Sequence, residues 1–180
     1  VLGLLQAEDD GKRFLYRTGA SFVRARAGIS ARSLLNRDEL LTAQTSHAEG
    51  VVIVGSHVRR STEQLAHLLE LPMVTGIEVQ VRELLGRVDE RQAEIARVRD
   101  AMNAILAAGA TPAVFTSREV EHSDGRDELQ VARSVSDALV EIVQGITERP
   151  AFVIGKGGIT SSDVGTRGLG AARSGGVRKR

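Results

Sequence analysis

Small polar residues gather at three places where an apolar run ends: Gly55-Ser56-His57, Thr116-Ser117-Arg118 and Gly155-Lys156-Gly157-Gly158-Ile159-Thr160-Ser161-Ser162-Asp163. The third is the richest. Glycines leave backbone N–H groups unshielded and let an anion approach closely. Thr160 and Asp163 stand at capping-box spacing, which predicts a helix starting at Thr160. A helix start adds further N–H groups and positive dipole charge. An apolar run, a glycine loop, hydroxyl side chains and a helix start together describe a phosphate cradle. The same residues serve equally as a tight strand-to-helix turn with an ordinary cap, and pattern alone does not choose. The loop is not a Walker A sequence, because Lys156 precedes the glycine pair. It is not the GxGxxG dinucleotide fingerprint either, because Thr160 stands where the last glycine belongs.

The other polar residues each carry two readings. Ser56 can bond a ribose or phosphate oxygen, or simply shape a turn. His57 can be a general base, although a lone histidine at a strand end is more often structural or solvated. Arg118 can clamp a phosphate or make a surface ion pair. Asp163 can hold Mg²⁺ through water or complete the helix cap, and the cap is the simpler role. His47, His67 and His122 lack metal-ligand spacing, so no metal site is expected. No catalytic residue is assigned.

The elements that must position these residues follow from periodicity. Val51-Val52-Ile53-Val54 is a continuous β-branched run of the kind buried on both faces of a parallel sheet. A helix should follow, with Ser61 as N-cap, Gln64 completing a capping box, Leu65, Leu68 and Leu69 as the apolar stripe, and Pro72 beyond its end. Met73 to Val81 alternates as a second strand. Asp89 to Ala108 is the clearest helix, with Ile95, Val98, Met102 and Ile105 at helical spacing and Gly109 after the end. Pro112 to Phe115 is a third strand, and Ser123-Asp124-Gly125 a turn. Asp127 to Thr147 is a long helix with Val131, Val135, Leu139, Ile142 and Ile146 in phase, and Phe152 to Ile154 a fourth strand. Strands alternating with long helices predict an α/β layered domain with a mainly parallel sheet flanked by helices. Ligands of such sheets bind beyond the carboxyl ends of the strands, which is where the three polar segments lie. The first quarter shows no compact core. Lys12 to Tyr16 reads as a brief strand, Ala20 to Ala27 as a helical turn, and Arg37 to Thr45 as a second helical stretch.

Composition narrows the classes. The chain has 180 residues and a formal net charge of +1, which excludes a surface that is basic throughout. Aromatics are 3% with no Trp, so stacking platforms for single-stranded nucleic acid are scarce. Cysteine is absent, which removes disulfides and thiolate chemistry. No apolar run approaches the ~20 residues of a membrane-spanning helix. Val1 to Asp10 turns acidic at once with no secretory pattern, and a cytoplasmic location is expected. Neither a nucleic acid nor a membrane is expected as a partner. The last stretch, Arg167 to Arg180, has five basic residues and no acid; it reads as a solvated basic tail.

In order along the chain, several segments resemble the four-carbon acid sugar kinase family. They are Arg17-Thr18-Gly19-Ala20-Ser21-Phe22-Val23, Ala27-Gly28-Ile29, Gly55-Ser56-His57-Val58 with Thr62-Glu63-Gln64-Leu65, Thr116-Ser117-Arg118, and above all Lys156-Gly157-Gly158-Ile159-Thr160-Ser161-Ser162-Asp163. The resemblance spans about residues 13 to 170. It implies an ATP-dependent kinase region, with Mg²⁺, acting on a hydroxyl of a sugar acid of the threonate, erythronate or 3-oxo-tetronate type. By that likeness Ser56, Gly157, Gly158, Ile159 and Thr160 would contact ATP. Residues 1–48 would be the trailing segment of a substrate domain, 49–170 the nucleotide-binding domain and 171–180 the basic tail. Departures accompany the likeness. The acidic Asp-Asp-x-Thr-Gly-type motif of the substrate domain is absent, and residues 171–180 do not resemble the strand and Pro-Gly-Asn-type loop that follow in the family. Gly19, Gly155 and Gly165 stand where alanines are common. The expectation is therefore an α/β domain incomplete relative to the family, with a complementing substrate domain or a second copy as partner. A non-catalytic, truncated nucleotide-binding remnant is the alternative.

Overall fold

Four parallel strands form the sheet, in the order β2-β3-β1-β4. The computed structural model describes residues 2–31, 33, 36, 49–56, 58–117 and 127–171. It divides into two compact units, Val1–Leu40 and Leu41–Arg180.

In the first unit, α1 (Leu2–Asp9) and α2 (Ala20–Arg26) bury no residue. The strand expected at Lys12 to Tyr16 is absent, and residues 12–19 have no regular structure. The aromatic side chains there make local contacts instead. Tyr16 packs against Phe14 and Phe22, and its hydroxyl donates to Glu8 (2.6 Å). Glu8 also pairs with Arg26. The helical turn expected at Ala20 is present, while the helix expected at Arg37 to Thr45 lies outside the described residues.

In the second unit the expected βα alternation is found: β1 (Val51–Val54), α3 (Arg59–Leu69), β2 (Val74–Val79), the short α4 (Val81–Leu84), α5 (Val88–Ala107), β3 (Thr111–Thr116), α6 (Glu128–Gln144), β4 (Val153–Lys156) and α7 (Gly158–Asp163), which runs on into a π-helical turn, Val164–Gly168. β1 is central, in register with β3 through Ile53–Val114 and with β4 through Ile53–Gly155. All four of its residues are buried, as its unbroken β-branched run requires. Val51 and Ile53 face the larger core, built with Val98 and Met102 of α5 and Leu139 and Ile142 of α6. Val52 and Val54 face a smaller cluster with Ala113 and with Leu65 and Leu68 of α3. Each fully buried aliphatic side chain contributes about 1.5–3 kcal/mol, so the α5–α6 layer is the more firmly held. No helix among the described residues is long and apolar enough to cross a membrane.

The element ends correct the sequence reading, because side chains from elsewhere take their backbone groups. α3 begins at Arg59 with Val58 as its cap residue, so Ser61 is not the N-cap. It lies inside the first turn, buried, and its hydroxyl donates to Ser56 Oγ (3.2 Å). β2 stops at Val79 rather than Val81: the Gln80 N–H donates to Glu94 Oε1 (2.7 Å) and the Val81 N–H to Ser117 Oγ (3.3 Å), which turns the chain into α4. α6 ends at Gln144 rather than Thr147. Asn103 donates to the Gly145 carbonyl (2.9 Å) and accepts from the Thr147 N–H (3.1 Å). Ile146 still packs on the core from outside the helix.

Glu94 is 5% exposed. Burial alone would push its carboxyl up, but hydrogen bonds from Arg97 and the Gln80 N–H, with the Arg97 charge, hold it below the usual carboxylate range. A depressed carboxyl stabilises the fold above its unfolded-state pKa, and that contribution is lost as pH falls through the folded value. Glu94→Gln should therefore cost about 2 kcal/mol at pH 7, as for hydrogen bonds to a charged group. The difference from the parent should narrow below about pH 4. Urea melts of both proteins from pH 7 to pH 3 measure it; a gap that is constant with pH would mean that the charge is irrelevant.

Candidate functional site

The carboxyl ends of β1 and β4 are adjacent, and the chain leaves them in different directions. β1 leads through Gly55 and Ser56 to α3, on the face of the smaller cluster. β4 leads through Gly157 to α7, which joins the π-helical turn carrying Val164 on the opposite face. A sheet whose neighbouring strands send their connections to opposite faces opens a crevice at that point, where ligands of such folds bind.

Close backbone approach builds the crevice. The Gly55 N–H donates to the Lys156 carbonyl (3.2 Å), which carries the β1–β4 pairing past the end of β1. A Cβ on Gly55 would stand 2.1 Å from Thr160 Oγ1, and one on Gly155 would stand 2.8 Å from Ser161 Cα. Both glycines therefore let α7 sit directly on the strand ends. Gly157 has φ +120°, a conformation that side chains other than hydrogen rarely adopt, and its position touches Ser56 and Thr160. Gly158 differs from all three: a Cβ there would meet nothing within 4 Å. Packing does not require glycine at 158, and the space above it is open.

The sequence-predicted residues divide accordingly. Ser56 and the segment Gly157-Gly158-Ile159-Thr160 are brought together. α7 starts two residues earlier than expected, at Gly158 with Gly157 as its cap residue, so Thr160 and Asp163 do not form a capping box. Thr160 is instead a buried packing residue, 8% exposed, wedged beneath Gly55 and Gly157. Ser161 Oγ donates to the Gly158 carbonyl (3.2 Å). What the loop presents outward is backbone, since the first N–H groups of a helix have no partner four residues back, together with the exposed side chain of Ile159. Lys156 is the last residue of β4 and half-buried. Thr116 ends β3, and Ser117, which follows it, accepts from the Val81 N–H. His57, Arg118 and His122 lie outside the described residues, as do His47, the turn at Ser123 and residues 172–180. His67 is on the exposed surface of α3 beside Glu70.

Asp163 neither caps the helix nor is left open. Its Oδ2 accepts from the buried Ser136 hydroxyl (2.6 Å) and lies 3.6 Å from Arg167. Arg167 also binds Asp137 (2.7 Å), and this hydrogen bond chiefly raises the guanidinium pKa, with the charges of Asp137 and Asp163 adding to it against burial. Sequence reasoning missed this Ser136–Asp163–Arg167–Asp137 chain. The available signal was a second stripe on α6, at residues 129, 132/133 and 136, beside the core stripe.

A family model described as a nucleotide-binding C-terminal domain matches residues 51–175. No curated protein and no solved structure matches the chain.

The Gly55–Thr160 contact is a size constraint that a paired substitution tests. Gly55→Ala should cost about 1–3 kcal/mol, the range for overpacking, and Gly55→Ala with Thr160→Ala should recover part of it, because the second change removes the clashing oxygen. Thermal or urea unfolding of the two single variants and the double variant gives the coupling; strict additivity would mean that the two residues do not touch.

Proposed function

The chain belongs to this nucleotide-binding C-terminal domain family, and from that premise we propose that it is the nucleotide-binding region of an ATP-dependent kinase for a four-carbon acid sugar of the threonate, erythronate or 3-oxo-tetronate type. The observation that carries the reading is the open position of Gly158, in a crevice where Gly55 and Gly155 are required by packing and Gly157 by its positive φ. The open space above Gly158, at the end of the strands, leaves room for a ligand. The ordered likeness of the Ser56 and Lys156–Asp163 segments to the sugar acid kinases supplies the substrate class.

In this reading the backbone at Gly157, Gly158 and Ile159 receives the phosphate oxygens, and Ser56, beside Gly157 and with its Oγ accepting from the Ser61 hydroxyl, also contacts the nucleotide. Thr160 acts from beneath, holding the loop against Gly55. ATP supplies the phosphoryl group, and Mg²⁺ supplies charge neutralisation on the phosphates. The chain's own share is orientation and fixed N–H dipoles, which carry most of the rate in phosphoryl transfer.

Gly158→Val probes the cradle with little penalty to the fold. Its thermal midpoint should stay close to the parent's, since surface substitutions stay within about 0.5 kcal/mol, while ATP affinity by calorimetry should fall at least about tenfold. Unchanged affinity would sink the cradle assignment. In this reading the chain alone is inactive, so incubation with ATP and each of the three sugar acids, followed by mass spectrometry, should show a phosphorylated product only when a substrate domain complements it. ATP binding with no product from any of them in the complemented mixture would reduce the function to nucleotide binding alone.

A further inference from the structure

α7 is six residues long, about 9 Å of helix. Its middle rests on the strand ends, with Thr160 beneath Gly55 and Ser161 against Gly155. Contacts at the middle of a rod stop it from sinking but leave it free to tilt. Its last residue, Asp163, supplies what they lack. Asp163 Oδ2 accepts from the Ser136 hydroxyl of α6 (2.6 Å), and Ser136 is only 5% exposed. Directly after Asp163 the winding changes from α to π, over Val164–Gly168. The tether therefore sits at the joint between two kinds of helix, and π turns within helices recur at functional sites.

We propose that Asp163 is a positioning residue: its hydrogen bond with Ser136 fixes the tilt of α7 about the Gly55–Thr160 contact, and so sets the backbone of Gly157, Gly158 and Ile159. The inference rests on the nucleotide-binding reading above and adds to it a residue that touches no ligand. Thr160 is the pivot. Gly158 lies two residues before it and Asp163 three residues after it, so the two arms are about 3 Å and about 4.5 Å. A movement of Asp163 away from α6 by about 1 Å carries Gly158 about two-thirds as far the other way. Binding groups must be held within about 0.5 Å of their working geometry, by side chains that are themselves locked. The Ser136–Asp163 bond locks this one.

The neighbouring contacts do not replace it. Arg167 lies 3.6 Å from Asp163 Oδ2 but binds Asp137 at 2.7 Å, and Gln144 donates to the Arg167 carbonyl (2.9 Å). Both of these anchors hold the π-helical turn, beyond the change of winding. The bond itself is of the strong kind: 2.6 Å is the short contact of a hydroxyl on a carboxylate. A serine within a helix can satisfy its hydroxyl on the carbonyl four residues back. Ser136 reaches across to α7 instead.

Calorimetry well below the thermal midpoints, with Mg²⁺-ATP and with inorganic tripolyphosphate, tests the assignment. The proteins are the parent chain, Ser136→Ala, Asp163→Ala, Asp163→Asn and the Ser136→Ala/Asp163→Ala double variant, with circular dichroism to check folding. Glu94→Gln is the control for lost stability as such, because Glu94 acts at the end of β2, the opposite edge of the sheet from β4; it should keep the parent's affinity. Ser136→Ala and Asp163→Ala should each weaken both ligands about tenfold. The double variant should be no weaker than the weaker single, since the same hydrogen bond is lost in all three. Asp163→Asn keeps an acceptor for Ser136 and should return to within about threefold of the parent. Parent-like affinity in Ser136→Ala and Asp163→Ala overturns the positioning role and spares the loop. A loss in Asp163→Asn as deep as in Asp163→Ala, with Ser136→Ala unaffected, overturns it too and makes Asp163 a direct ligand of the cation or phosphate. An equal loss in Glu94→Gln reduces the effect to general destabilisation and overturns it as well. If Asp163→Ala does not fold, Ser136→Ala and Asp163→Asn still decide. A parent chain that binds neither ligand overturns this inference and the nucleotide reading together.

Discussion

The candidate site depends on one steric fact: α7 lies on the ends of β1 and β4 with no strand side chain in the way at Gly55 or Gly155. Gly55 and Gly155 make that approach, and Thr160 and Ser161 fill it. Everything that faces outward follows. With Thr160 pressed inward, the start of α7 turns its backbone and Ile159 to solvent. With Gly157 at positive φ, the loop passes close beside Ser56, which the β1–β4 pairing sets next to it. The site is a product of close packing, and its polar character is largely what packing leaves over.

The interior of the fold was legible from local pattern. The β-branched run of β1 needs burial on both faces, and the helical spacing in α5 and α6 leaves little choice of face. The parallel arrangement followed from alternation alone. Element ends were less legible, for a consistent reason. Glu94, Ser117 and Asn103 reach from distant parts of the chain to take backbone groups at Gln80, Val81, Gly145 and Thr147. A local window contains the backbone group but not its side-chain partner, so it extends β2 and α6 too far.

The candidate residues show the same division. Ser56 and Gly157 to Thr160 were legible as a cluster because both segments follow apolar strands whose carboxyl ends lie at one edge of a parallel sheet. The role of Thr160 was not. Its spacing to Asp163 imitates a cap, whereas its position is set by Gly55, about a hundred residues earlier in the chain. The Ser136–Asp163 pair was hidden for a related reason: Ser136 sits between core positions of α6, where a serine reads as a lapse in an apolar stripe until a partner is seen across the gap.

The unequal grip on the two helical layers gives the crevice a mechanical meaning. α3 is held to the sheet by the smaller cluster, and Ile154, on the same face of the sheet as Val52, remains half exposed beside it. Ser56 opens the connection into that looser layer, and Gly157 opens the connection into the tighter one. An occupant that touches both is a clamp across the thickness of the sheet, and its binding free energy is shared with the layer that most lacks its own. Filling the crevice thus completes the fold's cohesion at the place where the polypeptide itself supplies least.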